Sequence, residues 1–240
     1  MVQLVLALDA AATFRNAVGV RSGGSNELLS AALLAELAGA DAVRIGVNEA
    51  QRPVSDADVM SLCGSLRRFE LRMAPSQSLL KLALEVRPDQ VVLAGDPRDP
   101  AGAGRPVEFG GGRDLGLEPI LHGLGDAGIP VAARITPDLD AVKAAHTLGL
   151  RSVELYTGDL LDLPRRERAA ELESLGDAAR IAAKLRMSVG LGGGLDFANV
   201  GEIQAVAPVA RTLTVGRALL GRAMLVGIDR AVRDFRSQLG

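Results

Sequence analysis

Eight short runs of aliphatic and β-branched residues alternate along this 240-residue chain with longer Ala/Leu-rich stretches, and this alternation constrains the fold most. The runs are Gln3–Leu8, Ala42–Gly46, Phe69–Met73, Gln90–Leu93, Pro130–Ile135, Ser152–Leu155, Met187–Leu191 and Arg211–Val215. Apolar residues between them recur at helical spacing, as in Leu28, Ala31, Ala32, Leu34 and Ala35. That spacing predicts helices over about 26–38, 56–67, 76–86, 114–127, 138–147, 166–184, 197–206 and 218–238. Strands of nearly unbroken apolar character need cover on both faces, and the intervening stretches are long enough for right-handed crossovers. Eight such units predict a closed TIM-type (β/α)8 barrel with extra helical elements, one domain spanning residues 1–240. An open doubly wound sheet is the alternative.

Two segments stand apart from the repeat. Residues 164–184 open on Pro164 and carry an Arg/Glu-rich first half, which reads as a solvated face or an added helical element. The Gly/Pro-rich stretch 95–112 follows the fourth strand and reads either as a lid over the barrel mouth or as a surface insertion.

Trp is absent, Tyr occurs once and Phe five times, so the core is expected to be aliphatic, with branched residues layered inside the barrel. The formal charge is −2, and aromatic platforms for stacking bases are nearly missing, which argues against a nucleic-acid partner. Met1–Leu8 lacks a basic flank and is too short for a membrane span, so it reads as a buried first strand of a cytoplasmic protein. Cys63 is the only cysteine, and His122 and His146 fall in predicted outer helices. No metal cluster, no Ser-His-Asp set and no bound cofactor are expected from that inventory.

Two glycine signals fall after the seventh and eighth strands. The first is Gly192-Gly193-Gly194-Leu195, and the second is Gly216-Arg217, which runs directly into the last helix. Glycines let backbone amides approach an anion, and a helix start presents unpaired N–H groups with a favourable dipole. Barrels often seat a phosphate between these two loops, where Arg217 adds a charge-assisted donor. The expected ligand is therefore a small phosphorylated metabolite.

Asp9 and Glu154 are the acid–base candidates, with a strand-end salt bridge as the competing role for each. Arg15, Arg44, Glu70, Arg72, Arg134 and Tyr156 are the substrate-binding candidates. Alternation along a strand puts Glu70 and Arg72 on one face, and Glu154 and Tyr156 on another. Guanidinium groups outnumber proton-transfer groups, which indicates an anionic ligand more directly than it indicates a reaction.

Several segments resemble the pyridoxine 5′-phosphate synthase family over nearly the whole chain. They include Asp9-Ala10-Ala11-Ala12-Thr13-Phe14-Arg15-Asn16, Leu71-Arg72-Met73-Ala74, Glu154-Leu155-Tyr156-Thr157-Gly158, Gly192-Gly193-Gly194-Leu195 and Val215-Gly216-Arg217-Ala218. The resemblance implies a TIM barrel with extra helices and a homo-oligomer, as dimer or octamer. It also implies a ring-closing condensation of 1-deoxyxylulose 5-phosphate with 3-amino-2-oxopropyl phosphate.

By the same resemblance, Asp9 and Arg15 match substrate-contacting positions, and Gly194 and Gly216 match ligand-binding glycines. Arg217 stands where the family has a histidine beside the phosphate. Gly46 stands at the family's histidine base, Arg72 at its glutamate and Gly193 at its histidine acid. Ala10 and Pro53 stand at further ligand-site histidines, Asn48 at an arginine and Ala7 at an asparagine. A condensation needs several positioned proton transfers, each worth roughly 10²–10⁴-fold. The reading is thus a divergent family member that binds a phosphorylated metabolite and catalyses another condensation, elimination or isomerisation. Its alternatives are a noncatalytic sensor or structural partner, and an active pyridoxine 5′-phosphate synthase.

Overall fold

Each of the eight aliphatic runs forms a strand in the computed structural model, which describes residues 1–19, 27–49, 53–95, 104–109, 117–161 and 163–239. The strands are β1 (Gln3–Ala7), β2 (Ala42–Val47), β3 (Phe69–Met73), β4 (Gln90–Leu93), β5 (Val131–Ile135), β6 (Ser152–Tyr156), β7 (Ser188–Gly192) and β8 (Thr212–Val215). They pair in chain order, all parallel, and β1 closes on β8 through Gln3↔Thr212 to Leu6↔Val215. The closed barrel rules out the open sheet.

The crossover helices are α2 (Glu27–Ala38), α3 (Asp56–Ser65), α4 (Gln77–Val86), α5 (Leu117–Asp126), α6 (Leu139–Thr147), α8 (Arg165–Lys184), α9 (Val200–Val206) and α10 (Arg217–Val226). Their starts carry local signals. Ser55 and Asp58 form a reciprocal capping box on α3, Ser76 caps α4, and Asp138 accepts from Ala141 N at 2.8 Å on α6.

Three further helices were not separated by the sequence pattern: α1 (Asp9–Ala17), α7 (Gly158–Leu161) and α11 (Ile228–Arg236). The long C-terminal helix expected over 218–238 is two helices, because Gly227 at φ +82° turns the chain between α10 and α11. The Arg/Glu-rich first half expected in 164–184 belongs to the 20-residue α8. Of the stretch 95–112, Gly95 and 104–109 are described. There an antiparallel bridge joins Gly95 to Arg105, and Val107 N donates to Arg134 O at 2.8 Å. The remainder of the lid expectation lies outside the described residues.

The core lies outside the barrel wall, contrary to the expectation of branched layers within it. On β3, Phe69, Leu71 and Met73 join the aliphatic cluster shared with the helices, and Glu70 and Arg72 alternate away from it into the barrel. The same alternation turns Arg44 of β2, Arg134 of β5 and Glu154 of β6 inward, where they bond one another. Outward positions are continuously apolar, which makes the strands read as aliphatic. The interior holds a few long charged side chains beside small residues and the buried Val5 and Val92, which lie apart from the outer cluster.

Candidate functional site

At the centre of the barrel, the buried carboxylate of Glu154 receives four hydrogen bonds. Arg134 donates to Oε1 from Nε and Nη2 at 2.8 and 2.5 Å; Arg44 Nη1 and Thr214 Oγ1 donate to Oε2 at 2.5 and 2.7 Å. Burial alone would raise the pKa of Glu154, but the charges of Arg134 and Arg44 and the bonds from Arg44 and Thr214 hold it well below the usual carboxylate range. Arg44 also grips Glu70 Oε2 through Nε and Nη2 at 3.0 and 2.8 Å. Burial opposes its charge, yet the two glutamates hold its pKa above the ordinary arginine value. Arg68 reaches the other oxygen of Glu70 at 3.2 Å from the N-terminal end.

Above this network, Asp9 at the first position of α1 accepts from Gly46 N at 2.8 Å and from Arg72 Nη2 at 3.1 Å. The Arg72 guanidinium occupies the space above Gly46, where an added Cβ would collide with Nη2 and lie 2.6 Å from Asp9 Oδ1. Burial lowers the Arg72 pKa; Asp9 opposes that shift, and the neighbouring charges of Arg134 and Arg44 add to it.

A cavity of about 380 Å³ opens at the C-terminal mouth, lined by Asp9, Arg72, Arg134, Thr214, the turn Gly193–Asp196 and the start of α10 at Gly216–Ala218. Gly193 and Gly194 have φ of +104° and +69°, which an L side chain rarely adopts. The turn's carbonyls are held from other elements: Gly192 O by Thr157 N at 3.0 Å, Gly193 O by Thr157 Oγ1, and Gly194 O by Asn199 Nδ2 at 3.0 Å. An added Cβ on Gly216 would stand 3.0 Å from Ala7 O, so a side chain there would press on the β1 backbone.

The cavity therefore brings together Asp9, Arg72, Arg134, Gly193, Gly194, Gly216 and Arg217 among the predicted site residues. Arg44, Glu70 and Glu154 lie beneath it; Arg44 and Glu154 line a second, polar cavity at the opposite end of the barrel. Tyr156 lies 5.7 Å under the Arg134 guanidinium and packs where a Cβ of Gly193 would be, 2.5 Å from its Cε2. Gly192 backs onto the Glu154 carboxyl. Arg15 turns away, pairing with Asp58 at 2.8 and 3.0 Å and with Pro53 O at 3.2 Å. Asp196 and Thr214 line the mouth without having been singled out from the sequence. His122 and His146 are exposed on α5 and α6. Among the described residues, no cluster of His, Cys, Asp and Glu is placed to hold a metal ion, and no helix is long and apolar enough to cross a membrane.

Residues 4–240 match the family model described as pyridoxal phosphate biosynthesis protein PdxJ. The chain is 35% identical to the pyridoxine 5′-phosphate synthase of Synechococcus sp., covering 100% of this chain and 99% of that protein. It is 33% identical to the synthase of Geobacter metallireducens, covering 98% and 97%. This chain belongs to the pyridoxine 5′-phosphate synthase family. Among solved structures, phosphoribosylanthranilate isomerase from Thermotoga maritima superposes with a TM-score of 0.62 at 15% identity, covering 99% of this chain and 98% of that one. KGPDC from Streptococcus mutans gives 0.65 at 12%, covering 99% and 97%. At those identities the likeness speaks for the barrel alone.

Proposed function

We propose that this family member binds a small phosphorylated metabolite at the barrel mouth, with its phosphate between the Gly193–Leu195 turn and the start of α10. The carrying observation is convergence: two positive-φ glycines, the Gly216–Arg217 helix start and the buried guanidiniums of Arg72 and Arg134 face one cavity. A helix start offers unpaired N–H donors, and a guanidinium adds charge-assisted ones. Arg72 and Arg134 contact the substrate, whereas Arg44, Glu70 and Glu154 fix Arg134 from beneath, and Tyr156 supports its guanidinium face. Asp9 is the carboxylate of the predicted acid–base pair that reaches the ligand.

The activity best supported by the comparisons is pyridoxine 5′-phosphate synthesis itself, since relatives of that name match over essentially the full length. A rewritten condensation, elimination or isomerisation, or a sensor role, draws its support from the pocket. Arg72 fills the space over Gly46, and Tyr156 fills the space against Gly193, the positions where the family resemblance calls for the histidine base and the histidine acid. A homo-oligomer accords with either reading, given the exposed Leu37, Met224 and Leu225.

Binding and turnover separate these possibilities. Calorimetry with 1-deoxyxylulose 5-phosphate should give saturable binding that falls at least about tenfold in Arg217→Ala, or about 1.4 kcal/mol. Absence of both effects would overturn the phosphate site. Addition of 3-amino-2-oxopropyl phosphate and detection of pyridoxine 5′-phosphate would establish the synthase reading. Binding without product would establish the altered one.

A further inference from the structure

We propose that the polar cavity at the N-terminal end of the barrel, opposite the mouth, is a binding site of its own for a small inorganic oxyanion, a sulfate or a phosphate. The two cavities share no lining residue, so this site is independent of any ligand at the mouth.

The cavity measures about 180 Å³, and Arg44, Arg68, Arg211, Gln3, Gln90 and Thr212 give it its polar lining. That is smaller than the roughly 300–1,000 Å³ of pockets for larger organic ligands, and it suits an ion of a few atoms. Gly190 keeps the space open: an added Cβ would stand 2.5 Å from Thr212 Oγ1 and 3.6 Å from Glu154 Cγ.

The lining is rich in donors because its acceptors are spent. A guanidinium only donates. Arg68 therefore draws the side-chain oxygens of Gln3 and Gln90, at 3.1 and 3.3 Å, and one oxygen of Glu70 at 3.2 Å. That leaves the amide nitrogens of both glutamines as donors in the lining. Glu154 is the acid among the lining residues, and its two oxygens already take four hydrogen bonds, about the full capacity of a carboxylate.

The charge follows the same pattern. Arg44 is held by Glu70 and Glu154, and Arg68 by Glu70. Arg211 is exposed at the rim and has no ion pair among the described residues. Two acids at the same end are turned elsewhere: Asp41 to Leu4 N and Arg236, and Asp89 to Phe69 N. The charge of Arg211 thus faces the cavity uncompensated, together with Arg68, two amides and a hydroxyl. Charge-assisted donors of this kind bind oxyanions, and no open carboxylate among the lining residues would hold a cation. The helix C-termini at this end carry partial negative charge, but it fades within a turn and acts from outside the barrel wall.

Calorimetry with sodium sulfate and with sodium phosphate, at an ionic strength held constant with chloride, tests the site. At least one oxyanion should bind the wild type saturably, and the tighter of the two names the ligand. Arg211→Glu should weaken that binding at least about tenfold, and Thr212→Val about threefold. Arg217→Ala, at the mouth, should leave it in place. In crystals soaked with selenate, anomalous density should appear between Arg68 and Arg211. Oxyanion binding that disappears in Arg217→Ala and is untouched by Arg211→Glu would belong to the mouth and overturn the site. So would the absence of saturable binding, or selenate density confined to other places. Should Arg211→Glu or Thr212→Val fail to fold, Arg211→Ala and the selenate density decide the matter.

Discussion

Replacing Glu154 by glutamine keeps the shape of the side chain and removes the charge that two buried arginines share. Arg134 donates twice to Oε1, and Arg44 donates once to Oε2 at 2.5 Å. Each buried pair is worth about 4 kcal/mol at an effective dielectric near 20, about 8 kcal/mol gross for the two. Relief from burying a carboxylate charge returns part of that. Breaking such a pair on one side typically costs about 3–5 kcal/mol, because the surviving cation remains buried. Arg44 keeps Glu70, but Arg134 loses its carboxylate, so the net loss is expected at about 3–5 kcal/mol.

Urea unfolding followed by circular dichroism at neutral pH measures this loss. The double variant Arg134→Met/Glu154→Leu should cost less than the sum of its single changes, since neither charge is then stranded. The acid limb supplies a second reading. Glu154 is held below its unfolded pKa, so its stabilisation is complete above the unfolded value, near 4.3, and fades as pH falls toward the depressed folded value. Glu154→Gln should therefore flatten stability against pH below about 5. A loss under about 1 kcal/mol with an unchanged acid limb would refute the network as a structural element.

Gly46→Ala places a Cβ against Arg72 Nη2 and 2.6 Å from Asp9 Oδ1. It should cost about 1–3 kcal/mol by overpacking, and addition of Arg72→Ala should relieve that cost in the same unfolding assay. Gly193→Ala combines φ +104° with a clash against the Tyr156 ring, so thermal denaturation should show a loss of about 1–2 kcal/mol or more, with weakened phosphate binding. Ser55→Ala removes the donor–acceptor pair that starts α3 and should cost about 0.5–2 kcal/mol, measured by urea unfolding, without altering ligand affinity.

Strand positions were legible because outward-facing residues such as Phe69, Leu71 and Met73 supply a continuous apolar signal. The interior was misread because its inward positions alternate between small residues and a few charges. Arg44, Glu70 and Glu154 look like strand-end polar residues until the barrel closes and brings them together from separate strands. The same closure seats Glu154 against Arg134 and Arg44. Helix α1 was missed because it begins two residues after β1, so Asp9 read as a strand end. Arg15 lies six residues along that helix from Asp9, which turns it about 120° away, toward Asp58. The glycine turn and the α10 start that line the mouth were legible because they lie in two short local segments. The turn's anchor Thr157 was not, since the Thr157–Gly193 bond spans 36 residues.

The occupation of one space by Arg72 and by any side chain at position 46 also orders the routes by which such a pocket can change. A bulkier residue at 46 and the arginine in its present place exclude each other, so neither can be introduced while the other stays as it is. A path from this pocket to one bearing a histidine at 46 must first withdraw the guanidinium, passing through a form with a hollow beside Asp9. The reverse path must first empty position 46. Engineering that grafts the 46 side chain alone will meet a collision, and exchanging the arginine first avoids it.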